Sequence, residues 1–176
     1  MKKSLFFTLA ASAMLLASCS KEPVAQLTKS GLNPADFKTD STALYVLTNK
    51  NGMEVCITNY GGRIVSIMVP DKSDSLRDVV LGFDNVASYL PENNKTDFGA
   101  SIGRYANRID HGRFTLGDST YQLTINNGVH SLHGGTTGWQ YRTYKANQTS
   151  DNSLELTLTS PDGDNGYPGT VEAKVV

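Results

Sequence analysis

Three stretches of this 176-residue chain gather side chains that could do chemistry. The first, Gly103-Arg104-Tyr105-Ala106-Asn107-Arg108-Ile109, sets two arginines and an asparagine among small residues. A guanidinium offers a fixed fork of donors and a carboxamide offers both a donor and an acceptor, a combination suited to the vicinal hydroxyls of a polyol. The same pairing is also common on an ordinary solvated surface. The second stretch, Asn126-Asn127-Gly128-Val129-His130-Ser131-Leu132-His133-Gly134-Gly135, places two imidazoles on a glycine-rich turn. Imidazole can donate to or accept from a hydroxyl near neutral pH, and Gly134-Gly135 would let the chain turn sharply and leave room for a ligand beside His133. The plain structural alternative is a turn histidine bonded to backbone. A zinc site built from His111, His130 and His133 lacks the cysteines and the helical spacing of such sites, so no metal is expected. The third stretch, Pro161-Asp162-Gly163-Asp164-Asn165-Gly166-Tyr167-Pro168-Gly169, alternates acidic residues in the manner of a calcium loop. Gly166 and Ala173 stand where that loop needs ligands, so a rigid multi-turn loop with Tyr167 at the edge of a pocket is the better reading.

Loops of this kind need strands to hold them. Runs at 44–48, 53–58, 64–69, 79–81, 113–116 and 121–125 are short, apolar in alternation and separated by turn residues. Asn51-Gly52 predicts a hairpin between the first two, and Gly117-Asp118 predicts another between 113–116 and 121–125. The clearest alternation is 153–159, with Leu154, Leu156 and Leu158 toward a core and Glu155, Thr157 and Thr159 toward water. No window from Leu44 onward reads as a long amphipathic helix, so the class is all-β and an antiparallel β-sandwich is expected. The run 171–176 starts another alternating strand and stops within it, which predicts a sandwich incomplete at the C-terminus, with exposed edges and apolar faces.

The N-terminus carries a different message. Lys2 and Lys3 precede an apolar run at 5–16 and small residues at 17–18, the layout of an export signal and too short to span a bilayer. Leu16-Ala17-Ser18-Cys19 resembles a bacterial lipobox, which predicts a signal peptide over 1–18, lipidation of Cys19 and an exported chain anchored in the bacterial cell envelope by lipid. Residues 19–43, polar and carrying Pro23 and Pro34, read as a flexible linker, with the folded domain over 44–176. Cys56 is then the one remaining thiol, so no disulfide is expected, and its place in a strand pattern predicts a core residue. Sixteen basic and 17 acidic residues give a net charge of -1 without blocks of one sign, which argues against a nucleic-acid partner. No obligate protein partner is evident.

Taken in order and spacing, Gly103-Arg104-Tyr105-Ala106-Asn107-Arg108-Ile109, Asn126-Asn127-Gly128, Ser131-Leu132-His133-Gly134-Gly135 and Pro161-Asp162-Gly163 with Gly166-Tyr167-Pro168-Gly169 resemble the aldose 1-epimerase (galactose mutarotase) family. Asn59-Tyr60-Gly61-Gly62 and Val80-Leu81-Gly82-Phe83 support the resemblance, which runs from 44 to 176. It implies a β-supersandwich, no cofactor, and interconversion of the α and β anomers of hexoses such as galactose or glucose by acid-base ring opening. It also implies that Asn107, Arg108 and His133 bind the sugar. The chain departs from the family at His130, where asparagine is usual, and no role is assigned to that residue. The catalytic glutamate and histidine of the family fall after the third motif, where this chain offers Glu172 within a strand pattern. No catalytic residue is therefore expected within the chain, which reads as a truncated fragment, inactive alone. The competing expectation is a lipid-anchored carbohydrate-binding sandwich without catalysis. Arg104 with Arg108 is too little to suggest a phosphorylated sugar.

Overall fold

A computed structural model describes residues 26–94 and 96–176. The signal segment, Cys19 and the first part of the expected linker lie outside the described residues. The elements are nearly all strands: β1 (Leu44–Thr48), β2 (Glu54–Thr58), β3 (Arg63–Pro70), β4 (Leu76–Asp78), β5 (Arg108–Ile109), β6 (Arg113–Leu116), β7 (Ser119–Gln122), β8 (Ser131–Leu132), β9 (Lys145–Ser150), β10 (Ser153–Ser160) and β11 (Val171–Val175). Among the described residues the helical segments are 3-10 turns of three or four residues, and no helix is long and apolar enough to cross a membrane.

Strands β1 to β4 form one antiparallel sheet in sequence order, and β11-β10-β9 form a second with β10 in the middle. The period of two along a strand divides the first sheet into two apolar faces. Leu44 and Val46 of β1, Cys56 of β2 and Val65 of β3 join Leu32, Phe37, Val86 and Tyr89 in one cluster. Tyr45, Leu47 and Ile57, one residue out of step, pack against Tyr144, Leu154 and Leu156 in the other. The second cluster lies between the two sheets, so the architecture is the expected antiparallel β-sandwich. Leu154 and Leu156 are buried as their alternation predicts, and Cys56 is a buried free thiol. Both predicted hairpins form, with Gly52 and Gly117 at positive φ in their turns.

The linker expected over 19–43 is corrected by the structure from Thr28 onward. Asn33 caps the turn Pro34–Phe37 by accepting from the Ala35 N–H, and the Thr42 hydroxyl donates to the Phe37 carbonyl at 2.8 Å. The Lys29 N–H donates to Glu54 Oε1 at 2.7 Å. Leu32 and Phe37, 6% and 0% exposed, close the outer face of the first sheet. Two isolated apolar residues in an irregular segment carry no periodic signal, which is why this strap reads as a tether. The expected strand at 79–81 is not formed: the edge strand is Leu76–Asp78, and Val79 and Leu81 are exposed. Strand β9 went unforeseen because its residues, Lys145-Ala146-Asn147-Gln148-Thr149-Ser150, are polar and mostly exposed.

One buried cation ties this frame to the loops. Arg63 of β3 is fully buried, donating from Nη1 to the Thr96 and Phe98 carbonyls and from Nη2 to the Gln140 carbonyl at 2.9 Å. Its guanidinium lies over the rings of Tyr60 and Tyr89. Burial lowers its pKa, and the carbonyls and ring faces offset the loss of water. Next to Gln140, Trp139 lies so close to Gly103 that a Cβ there would fall 2.0 Å from the indole. The core thereby sets the position of the loop that begins at Gly103.

Candidate functional site

The short ladder of β5 and β8 is the frame of the site, with Arg108 facing Leu132 and Ile109 facing Ser131. Its second strand is held by two local devices. Asn126 imitates a strand neighbour, donating from Nδ2 to the Leu132 carbonyl at 2.9 Å and accepting from the Leu132 N–H at 2.7 Å. Asn127 and His130 close a tight turn through two backbone bonds, with Gly128 at φ 60.

The ladder continues beyond its first rung. The His133 N–H donates to the Asn107 carbonyl at 3.0 Å, and the Asn107 N–H donates to His133 Nδ1 at 2.9 Å. Both residues have positive φ, 63 for Asn107 and 51 for His133, a conformation asparagine and histidine tolerate better than most. Because Nδ1 is an acceptor here, the proton of the neutral ring belongs on Nε2, a donor that this bond leaves unused. Asn107 Oδ1 accepts from the Arg108 N–H at 2.9 Å and, more weakly, from Arg108 Nη1 at 3.4 Å. Arg108 Nε donates to Asn127 Oδ1 at 2.9 Å. The three residues expected to share a site therefore lie together, Asn107 and Arg108 exposed and His133 half-buried.

Arg108 also lines a cleft of ≈ 430 Å³ with Arg104, Tyr105, Ile109, Phe114 and Tyr167. Tyr167 is buried at its edge, as the third stretch predicts, and Phe114 packs against both Tyr121 and Tyr167. Arg104 has another task. It donates to the Ser160 hydroxyl and to the carbonyls of Ser160, Pro161 and Pro168, with its guanidinium 5.8 Å from the centre of the Tyr167 ring. Those bonds clamp the 160–168 loop and use up most of the donor fork. Burial pushes the Tyr167 hydroxyl pKa up, with Arg104 opposing the shift. A larger cleft of ≈ 600 Å³ lies on the β9-β10-β11 sheet, lined by Thr143, Lys145, Thr157, Thr159 and Glu172 among others. It contains none of the residues that converge around His133, so the smaller cleft is the candidate site.

One expectation changes in detail, and the set of three histidines already argued against comes apart. The space freed by Gly134 and Gly135 is filled by protein. A Cβ on Gly134 would fall 1.7 Å from the Gly103 carbonyl oxygen, and one on Gly135 would fall 2.2 Å from the Thr124 hydroxyl. The three histidines weighed as a zinc set also separate. His133 turns to Asn107, whereas His111 and His130 approach Asp110 at 3.0 and 3.1 Å. Tyr105 belongs to the first stretch, whereas Phe114 and the brace from Asn127 were not singled out from the sequence. Phe114 alternates like any strand residue, and nothing local marks it as a cleft wall.

Two antiparallel sheets face to face, with a loop-built cleft walled by aromatic rings and edged by Arg108, place the chain among mutarotase-like β-sandwiches. Residues 43–176 match the aldose 1-epimerase family model, and the chain belongs to that family. It is 42% identical over 124 residues to a galactose mutarotase of Bos taurus, covering 70% of this chain and 35% of that protein. It is 36% identical over 132 residues to an aldose 1-epimerase of Escherichia coli strain K12, covering 75% and 38%. Among solved structures it is similar to an aldose epimerase homologue from C. elegans, with a TM-score of 0.71 and 30% identity over 76% of this chain and 41% of that one. A galactose 1-epimerase from Lactobacillus acidophilus NCFM aligns with a TM-score of 0.65 and 27% identity, over 78% and 40%. The chain thus spans well under half the length of these relatives.

Proposed function

We propose that this chain supplies a sugar-binding portion of an aldose 1-epimerase, acting on hexoses such as galactose or glucose. The observation that carries the reading is the bond from the Asn107 N–H to His133 Nδ1, which joins His133 to the Asn107-Arg108 pair and leaves Nε2–H as the free donor of the neutral ring. Arg108 and His133 then donate to sugar oxygens, Asn107 adds a carboxamide, and the rings of Tyr105 and Phe114 offer apolar faces to the C–H side of the ring. The names of the relatives, galactose mutarotase and aldose 1-epimerase, support the substrate class.

Mutarotation requires a base to take the anomeric hydroxyl proton and an acid to protonate the ring oxygen. No carboxylate is among the residues lining the cleft, and His133 has one nitrogen committed to backbone. These residues can hold a hexose and steady charge on its oxygens, but they lack a matched proton donor and acceptor. We propose accordingly that the polypeptide of 176 residues binds hexose with little turnover. Polarimetry on fresh α-D-galactose is expected to show the buffer rate, while an NMR titration shows saturable binding. Arg108→Lys and His133→Asn are each expected to weaken that binding about tenfold. Rapid mutarotation would overturn the proposed inactivity, and absence of binding would overturn the sugar site.

The non-catalytic binding module is separated by the reading frame after the Val176 codon. A continuing frame with a later His and Glu favours the epimerase, and a stop codon there favours the module. We further propose export and lipid attachment at Cys19 in a bacterial envelope, supported by Lys2, Lys3, the apolar run at 5–16 and Leu16-Ala17-Ser18-Cys19.

A further inference from the structure

At the other end of the β5–β8 ladder, past the rung joining Ile109 and Ser131, the next facing positions are Asp110 and His130. A turn with His111 at φ 49 brings a third side chain over them. His111 Nδ1 and His130 Nδ1 lie 3.0 and 3.1 Å from the same atom, Asp110 Oδ1. One ligand atom from each of the three residues falls within 4.8 Å of the others. The two imidazole rings meet nearly edge to face, with centroids 5.8 Å apart.

The hydrogen bonding of this group is incomplete in a telling way. His130 Nδ1 also lies 3.3 Å from the His111 N–H, a long contact that its single lone pair can satisfy only when that nitrogen carries no proton. The same nitrogen stands 3.1 Å from a carboxylate oxygen that also has only lone pairs to offer. A proton on Nδ1 resolves that contact, and a metal ion in its place does so once the lone pair leaves the long His111 N–H contact. A tetrahedral ion with bonds of about 2.1 Å needs ligand atoms about 3.4 Å apart, close to the spacing of each nitrogen from the shared oxygen. Two imidazole nitrogens and one carboxylate oxygen form a donor set for zinc, nickel or copper rather than for calcium or magnesium.

We propose that Asp110, His111 and His130 bind one divalent transition-metal ion, with water completing its coordination. Asp110 and His111 are exposed and His130 is half-buried, so the ion reaches the site directly from solvent. Binding joins the end of β5 to the turn that carries Asn127, the acceptor for Arg108 Nε. The metal is independent of the sugar reading, because His133 belongs to the opposite end of the ladder.

The test is calorimetric titration of the untagged chain with Zn²⁺ and with Ni²⁺, beside the variants His111→Asn, His130→Asn and His133→Asn. Asparagine is chosen because it tolerates positive φ at position 111. One equivalent is expected to bind, the first two variants to weaken binding about tenfold or more, and the third to leave it within about twofold. All three variants lose one histidine, so nonspecific capture by imidazole would weaken all equally and overturn the proposal. The proposal also fails if no saturable binding occurs, which would mean that protons alone relieve the contact. If a variant does not fold by circular dichroism, imidazole NMR of the unaltered chain decides instead. Zn²⁺ is expected to shift the His111 and His130 ring signals and leave those of His133 in place; the reverse pattern would overturn the assignment.

Discussion

The ring of His133 is oriented by a backbone N–H, so the site depends on backbone geometry as much as on side-chain type. Gly134 shows how little freedom that geometry has. It sits at φ 85 with the Gly103 carbonyl where a Cβ would go. Gly134→Ala is expected to destabilise the fold by about 2 kcal/mol or more, read as a lower denaturant midpoint, because strain and overlap act together. Tyr144 makes a separate prediction. Its hydroxyl is buried between the sheets, and desolvation pushes its pKa from 10.0 to about 12. Ser101 tempers the shift, although the two hydroxyls do not form a hydrogen bond of proper geometry and the Ser101 proton goes to the Gly62 carbonyl. A folded-state pKa raised above the unfolded value means that this contribution is whole below about pH 10 and is lost as pH rises toward 12. Tyr144→Phe is therefore expected to be near neutral in stability at pH 7 and to reduce the alkaline loss in that window, measured by denaturant melts at a series of pH values. At this scale Asn107, Arg108 and His133 were grouped through the order of motifs that resembles a family, because an arginine beside an asparagine is by itself common on a solvated surface. The diversion of Arg104 was not, since its acceptors Ser160, Pro161 and Pro168 lie more than 50 positions away in the chain.

Elements with strict alternation were readable, and elements defined by what they cover were not. Strands β1, β6 and β10 carry their own pattern, and the turns at Asn51-Gly52 and Gly117-Asp118 follow from glycine at positive φ. Strand β9 exists because β10 offers it a ladder, and its polar residues would not form a strand alone. The strap over 28–43 exists because the first sheet has two apolar faces and the second sheet covers one of them. Phe37, fully buried against Leu32, Cys56, Val65 and Tyr89, is its anchor. Phe37→Ala is expected to cost about 3–5 kcal/mol, seen as a drop in the thermal midpoint. A flexible tether would instead leave the midpoint unchanged.

At the scale of the whole molecule Arg63 joins β3 to Thr96, Phe98 and Gln140, the segments on either side of the cleft loops. The proposed lipid anchoring belongs to the same scale, and its support is the run Leu16-Ala17-Ser18-Cys19. Cys19→Ser is expected to abolish lipid labelling and to move the chain from the membrane fraction to the soluble fraction. Membrane retention of that variant would refute anchoring at this cysteine. The sequence by itself determined the all-β class, the hairpins, the buried Cys56 and the grouping of Asn107, Arg108 and His133, because periodicity, turn chemistry and motif order are local properties. Tertiary structure alone decided that Phe37 is core, that Arg104 is a clamp, that Gly134 makes room for a carbonyl, and that His130 belongs with Asp110 instead of His133. Each of those depends on what stands opposite a residue across a ladder or a sheet face, and a linear pattern does not specify its own partner.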